Sequence, residues 1–129
     1  TSDSTRTVKD CIAFNNGQKG FDENNSKATI DMENTIAFDN GFKGKKGQNG
    51  NSNYRMELMN IQQFDNCFGF NGAIEDFLPD GKTVITPDSS VQDAVRNATT
   101  ALSDSLQQSI REDKIPGMVW FNDIFALTK

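Results

Sequence analysis

The chain repeats itself. The stretch CIAFNNGQKGFD from Cys11 is answered by TIAFDNGFKGKK from Thr35, with Phe14 over Phe38, Gly17 over Gly41 and Lys19 over Lys43, an interval of 24 residues. A third copy, NCFGFNG from Asn66, sets Asn66 over Asn34 and Phe70 over Phe38, now 32 residues on. The eight extra residues fit an insertion in GFKGKKGQNGNSN (residues 41–53), because its glycine and asparagine favour turns over regular structure. Self-similarity at this scale constrains the fold strongly, since each unit has to bury its apolar face against the next.

A period in the low twenties, with short β-branched or aromatic runs and Asn-Gly turns, suits one turn of a parallel β-helix better than a helical hairpin repeat of about 33 residues or more. KATIDME (27–33) and NYRMELMNI (53–61) read as strands; in the first, Thr29, Asp31 and Glu33 alternate with Ile30 and Met32. Stacked coils turn equivalent positions into ladders. Asp10, Asn34 and Asn66 make one, their side chains expected to bond to backbone at a sharp bend, and Phe14, Phe38 and Phe70 make an aromatic one. Cys11 and Cys67 then lie two strand spacings apart, about 9–10 Å, beyond the reach of a disulfide, so two free thiols are predicted. The competing reading is that the Asn-Gly pairs mark turns of an ordinary antiparallel sheet.

After Gly72 the pattern stops. Residues 74–87 read as loop, with a turn at Pro79-Asp80-Gly81 and a short strand at 83–86. Ser90 and Asp93 resemble a capping box, and Val91, Ala94, Val95, Ala98, Leu102, Leu106 and Ile110 recur at helical spacing before Pro116-Gly117. An amphipathic helix over about 90–114 is predicted, with the job of covering the open end of the coils. The apolar segment from Met118 to Leu127, MVWFNDIFAL, is expected to pack with it, or to serve as an interface with another subunit or domain. The expected fold class is mainly β: a short parallel β-helix of about three coils over 1–78, then loop, capping helix and apolar segment over 79–129.

Composition removes several functions. At 129 residues the chain holds one core. Without His, and with two Cys, it cannot assemble a Cys/His zinc site, a Ser-His-Asp triad or a Cys-His pair; oxygen-ligated metals stay open. A net charge of −5 argues against a general nucleic-acid binder. No apolar run has the length of a membrane span. The start at Thr1-Ser2-Asp3-Ser4, without Met, suggests a mature or trimmed product whose upstream part is missing. Asn24-Asn25-Ser26 and Asn97-Ala98-Thr99 match the glycosylation sequon, a motif frequent by chance.

DCIAFNNGQKGFDENN (10–25), NTIAFDNG (34–41), NYRM (53–56) and NCFGFNG (66–72) together resemble the C-terminal coils of family 9 polysaccharide lyases, over roughly residues 8–72. The resemblance implies a right-handed parallel β-helix, secreted or at the cell surface, that acts on pectate-like uronic-acid polymers. In that family calcium held by aspartates neutralises the uronate, and a lysine removes the C5 proton to start β-elimination. That proton becomes acidic only when cations hold the developing charge, and the base has to be neutral when it acts. The family's layout places the aspartates and the base ahead of the KGFD segment, so calcium is expected for the full enzyme and no metal site is assigned here.

Between Gly41 and Met56 stand Lys43, Lys45, Lys46 and Arg55, with no acidic residue. With Lys19 stacked beneath Lys43, these cations are candidates to line a groove for an acidic polysaccharide, Arg55 pairing bidentately, and Tyr54 and Phe42 offering faces to sugar rings. A solvated Gly/Lys-rich loop accounts for the same residues. Lys19 and Lys43 are the weak candidates for a catalytic base, a surface role being the plainer one for Lys19. Asp22 and Glu23, adjacent on a strand, point to opposite faces and do not share a metal.

Overall fold

In a computed structural model of the chain, residues 5–24, 26–43, 51–112 and 124–128 are described. They fall into two compact units, Thr1–Thr86 and Pro87–Lys129. The first is mainly strand. β1 (Thr5–Phe14), β3 (Thr29–Phe38) and β5 (Asn60–Phe70) form a parallel sheet in the order β1-β3-β5, and β2 (Phe21–Asp22) pairs in parallel with β4 (Tyr54–Arg55). Neighbours in each sheet come from successive copies of the repeat, so the Asn-Gly pairs do not close antiparallel hairpins.

The register carries the repeat residue by residue. Cys11, Thr35 and Cys67 are partners, as are Phe14, Phe38 and Phe70. Both thiols are free. Between the first two strands the interval is a constant 24, whereas Phe21 meets Tyr54 at 33, Thr29 meets Asn60 at 31, and a bulge after Ile30 restores 32. The insertion is thus corrected in two steps before the third copy of the motif begins.

Each long strand bends at one residue. Asp10, Asn34 and Asn66 have φ of 55°, 57° and 52°, and Asn15, Asp39 and Asn71, just beyond the strands' last Phe, have φ of 55°, 56° and 51°. Asn and Asp tolerate this left-handed conformation better than other side-chain-bearing residues do, which is why they recur there. In the first column Asn34 Nδ2 donates to Asp10 Oδ1 at 2.7 Å, a side-chain partner where a bond to backbone was expected.

Before the bend, alternation holds: Ile30 and Met32 are buried while Thr29, Asp31 and Glu33 are not. Beyond it, Thr35, Ile36, Ala37 and Phe38 are all buried, so both faces of that half are covered. Ala37 joins the core of Ala28, Ile30, Met32, Tyr54, Met56, Met59, Ile61 and Cys67. The phenylalanine column stands on the opposite face, with rings 5.3 Å and 4.8 Å apart and nearly parallel.

Beyond β5, Lys82 N donates to Pro79 O across the turn at Gly81 (φ 81°). The strand expected at 83–86 is reduced to one parallel bridge, Ile85 with Phe68. In the second unit, α1 spans Ser89–Arg111. Its first i to i+4 bond runs from Gln92 N to Asp88 O, so Asp88 takes the N-cap position and Ser90 lies inside the first turn, a correction to the capping box. Val95, Thr99 and Leu102 form its buried stripe. Residues 124–126 make a single helical turn with Ile124 and Phe125 buried; Met118 and the rest of that segment up to residue 123 lie outside the described residues.

Asn40, fully buried, knits the first unit together. Its Nδ2 donates to Ala13 O at 3.0 Å and Asn53 Oδ1 at 2.9 Å, and its Oδ1 accepts from Asn16 N and Nδ2. Asn53 Nδ2 passes the chain of bonds on to Phe70 O at 3.0 Å. Replacing Asn40 by Leu strands several of these groups, and urea unfolding is expected to show a loss on the order of 4 kcal/mol. Lys9→Ala, which removes an exposed 3.8 Å pair with Glu33, should cost about 0.5 kcal/mol or less.

Candidate functional site

The left-handed residues Asn15, Asp39 and Asn71 turn the chain out of the three-stranded sheet at the same edge, and the turns stack. Gly41 N donates to Asn16 O and Ala73 N to Asn40 O, both at 2.9 Å, while Asn71 Nδ2 donates to Asp39 Oδ1 at 2.8 Å. Gly41 is required here: φ is 95°, and a Cβ would run into the Asn51 carbonyl. The residues that follow stand on the surface: Gln18 in the first turn, Phe42 and Lys43 in the second, Ile74 and Glu75 in the third. Phe42 is 59 % exposed, the most exposed of the large hydrophobic side chains described.

Lys43 is exposed and makes no ion pair among the described residues. It does not stand over Lys19. Lys43 N donates to Gly17 O at 3.1 Å, and its Cβ lies against Gly17, whereas Gly20 N donates to Ser52 O. The insertion interrupts the 24-residue register beyond Gly41, so the segment carrying Lys19 aligns with residues after the insertion. Lys19 is half-buried and paired with Asp22 at 3.6 Å. Lys45 and Lys46 lie outside the described residues.

Tyr54 and Arg55, both expected to contact sugar, are placed differently by the structure. Tyr54 has no exposed surface: Phe21 stacks on its ring, Phe64 meets it edge-on, and its hydroxyl donates to Phe68 O at 2.8 Å while bonding Thr35 Oγ1 at 2.9 Å. It is a core residue, with burial holding its phenol well above the usual range. Arg55 is committed within the fold, to Glu57 at 3.1 Å and over the Phe77 ring at 4.7 Å. The strand read from NYRMELMNI is present at this point as β4, and its alternation, which buries Tyr54 and leaves Arg55 half-covered, decides which of the two reaches the surface.

Among the described residues no three acidic, Cys or His side chains converge on a point that could hold a metal. Asp22 is taken by Lys19, and Glu23 turns inward, its Oε2 accepting from Leu58 N at 2.7 Å. This donor set does not fit calcium, and no chemical step is routed through it. The stacked surface at Gln18, Phe42 and Ile74 is less conspicuous in the sequence than the lysines. Its signal was nevertheless present in FNN, FDN and FNG, where an Asx follows the column phenylalanine in every copy.

Asp76, which follows Ile74 and Glu75, ties the third turn to β4, its Oδ1 accepting from Tyr54 N at 2.9 Å. Burial raises its carboxyl above the usual range, against the lowering effect of the bonds from Tyr54 and Asn53 N–H groups. Its folded value therefore exceeds its unfolded one. The stability it contributes is complete below the unfolded value and is lost as pH rises through the folded one. Asp76→Asn keeps the acceptor and removes the charge, so the variant should melt higher than the parent at neutral pH and equal it near about pH 3, as thermal scans across pH would show.

Comparison with protein-family models, curated proteins and solved structures finds no match to this chain.

Proposed function

We propose that the first unit is a set of about three right-handed parallel β-helix coils from a secreted or cell-surface protein resembling the family 9 polysaccharide lyases. Its stacked turn face holds an acidic, pectate-like polysaccharide, and the catalytic coils belong to other parts of a longer polypeptide. The coil reading is supported by parallel pairing between successive repeats in two sheets and by the columns of bent Asx residues. One observation carries the binding reading: Phe42 projects into solvent beside Lys43, a cation without an ion pair among the described residues. An aromatic face packs on the apolar side of a pyranose ring, and an ammonium pairs with the carboxylate that every uronate residue carries.

Catalysis is not assigned to this chain. A lysine that removes a C5 proton needs cations nearby to favour its neutral form, and Lys19 instead faces the Asp22 carboxylate. Mixing the chain with polygalacturonate and calcium should give no rise in absorbance near 235 nm. The same chain should be retarded on a polygalacturonate gel at low salt. Reversing charge at Lys43, Lys45 and Lys46, or replacing Phe42 by Ala, should weaken retention about tenfold, equivalent to ~1.4 kcal/mol. Unchanged retention in both variants rejects the surface.

A further inference from the structure

The two ends of the stack differ. At one end short segments finish the sheets: Ile85 pairs with Phe68, Gly69 N donating to Ile85 O at 3.0 Å, and Phe77 pairs with Arg55, Met56 N donating to Phe77 O at 2.7 Å. At the other end, among the described residues, the ten residues of β1 pair only with β3, and β2 pairs only with β4. An edge of this length is a template for another strand.

Burial shows the same incompleteness. Val8, Ala13, Phe14 and Phe21 are half-buried, while their partners one strand on, Met32, Ala37, Phe38 and Tyr54, are 0–1 % exposed. Phe38 has a stacked ring on each side, and Phe14 on one. A cavity of about 690 Å³ opens among Val8, Phe21, Ile30, Met32, Met56 and Glu23. Glu23 is 6 % exposed, and its Oε1 is enclosed without a hydrogen-bond partner. A buried acceptor left in this state calls for a donor.

We infer that this end is a docking surface for one further coil, a preceding repeat of a longer form of the same polypeptide, laid parallel on β1 and β2. A second copy of the chain stacked end-on does not fit, because Ile85 and Phe77 occupy the only complementary sheet end among the described residues. The surface specifies what the coil carries. It needs a flat aromatic residue over Phe14, apolar residues over Val8 and Phe21, and a donor reaching Glu23 Oε1. Over Asp10, which as a carboxylate only accepts and already takes the Asn34 amide, it needs Asn rather than Asp. The inference rests on the coil reading above and not on the polysaccharide; gel retention tests the latter independently.

The test uses the chain as it stands and a version with residues 5–28 duplicated ahead of Thr5, the added copy carrying Asp10→Asn. The parent should bind an apolar fluorescent dye, with Val8→Lys lowering the signal on the order of fivefold, and its β1 amides not bonded to β3 should exchange freely with solvent. The duplication should abolish dye binding and slow exchange in β1 about a hundredfold. A control whose added copy bears Phe14→Asp should do neither. The inference is overturned if the parent binds no dye and protects β1 as fully as β3. A dimer that protects β1 also overturns it, as does a folded duplication that leaves β1 exchanging freely.

Discussion

The first unit depends on the hydrogen bonds of one enclosed amide. Asn40 sits where three segments from different repeats meet, and each of its polar atoms is answered: Ala13 and Asn53 accept, Asn16 donates. An apolar side chain of the same size would fill the space but leave buried backbone and amide groups unanswered. Because the bonds cross the repeat interval, they fix the register of one copy on the next. Apolar packing is not directional and alone would do this poorly.

The bends follow from the same economy of residue types. Two left-handed Asx columns bracket the segments Cys11–Phe14, Thr35–Phe38 and Cys67–Phe70, so each segment is turned as a rigid unit. Turning it covers both faces: Ala37 goes to the aliphatic core and Phe38 to the aromatic column. Tyr54 links the two sheets, reaching from β4 to the Phe68 carbonyl and Thr35. Its phenol stays protonated there because ionisation would place a charge in the core.

The backbone plan was legible in the sequence because ladders are made of identical contacts. The Phe14, Phe38 and Phe70 column, the 24-residue interval, the two unpaired thiols and the helix near residue 90 all follow from spacing. The surface was less legible. Lys19 and Lys43 align in the sequence, but alignment reports position along the chain, and the interval widens from 24 to 33 across the insertion before the bulge after Ile30 settles it at 32. Tyr54 and Arg55 looked alike as neighbours of a basic loop, yet two-residue alternation sends one to the core and holds the other at Phe77. Burial depends on which strand lies next door, and a local reading does not contain that.

The insertion leaves and rejoins the fold at touching points, since Gly41 abuts the Asn51 carbonyl. Its two ends are thereby clamped together by residues that belong to the stack and not to the excursion. Closing a loop between fixed ends costs only about 0.6 kcal/mol more for each doubling of its length. Sequence between Lys43 and Asn51 can therefore be lengthened, shortened or rewritten with little penalty to the framework, which makes it the natural place to graft a foreign peptide or to retune surface charge without disturbing the ladders beneath.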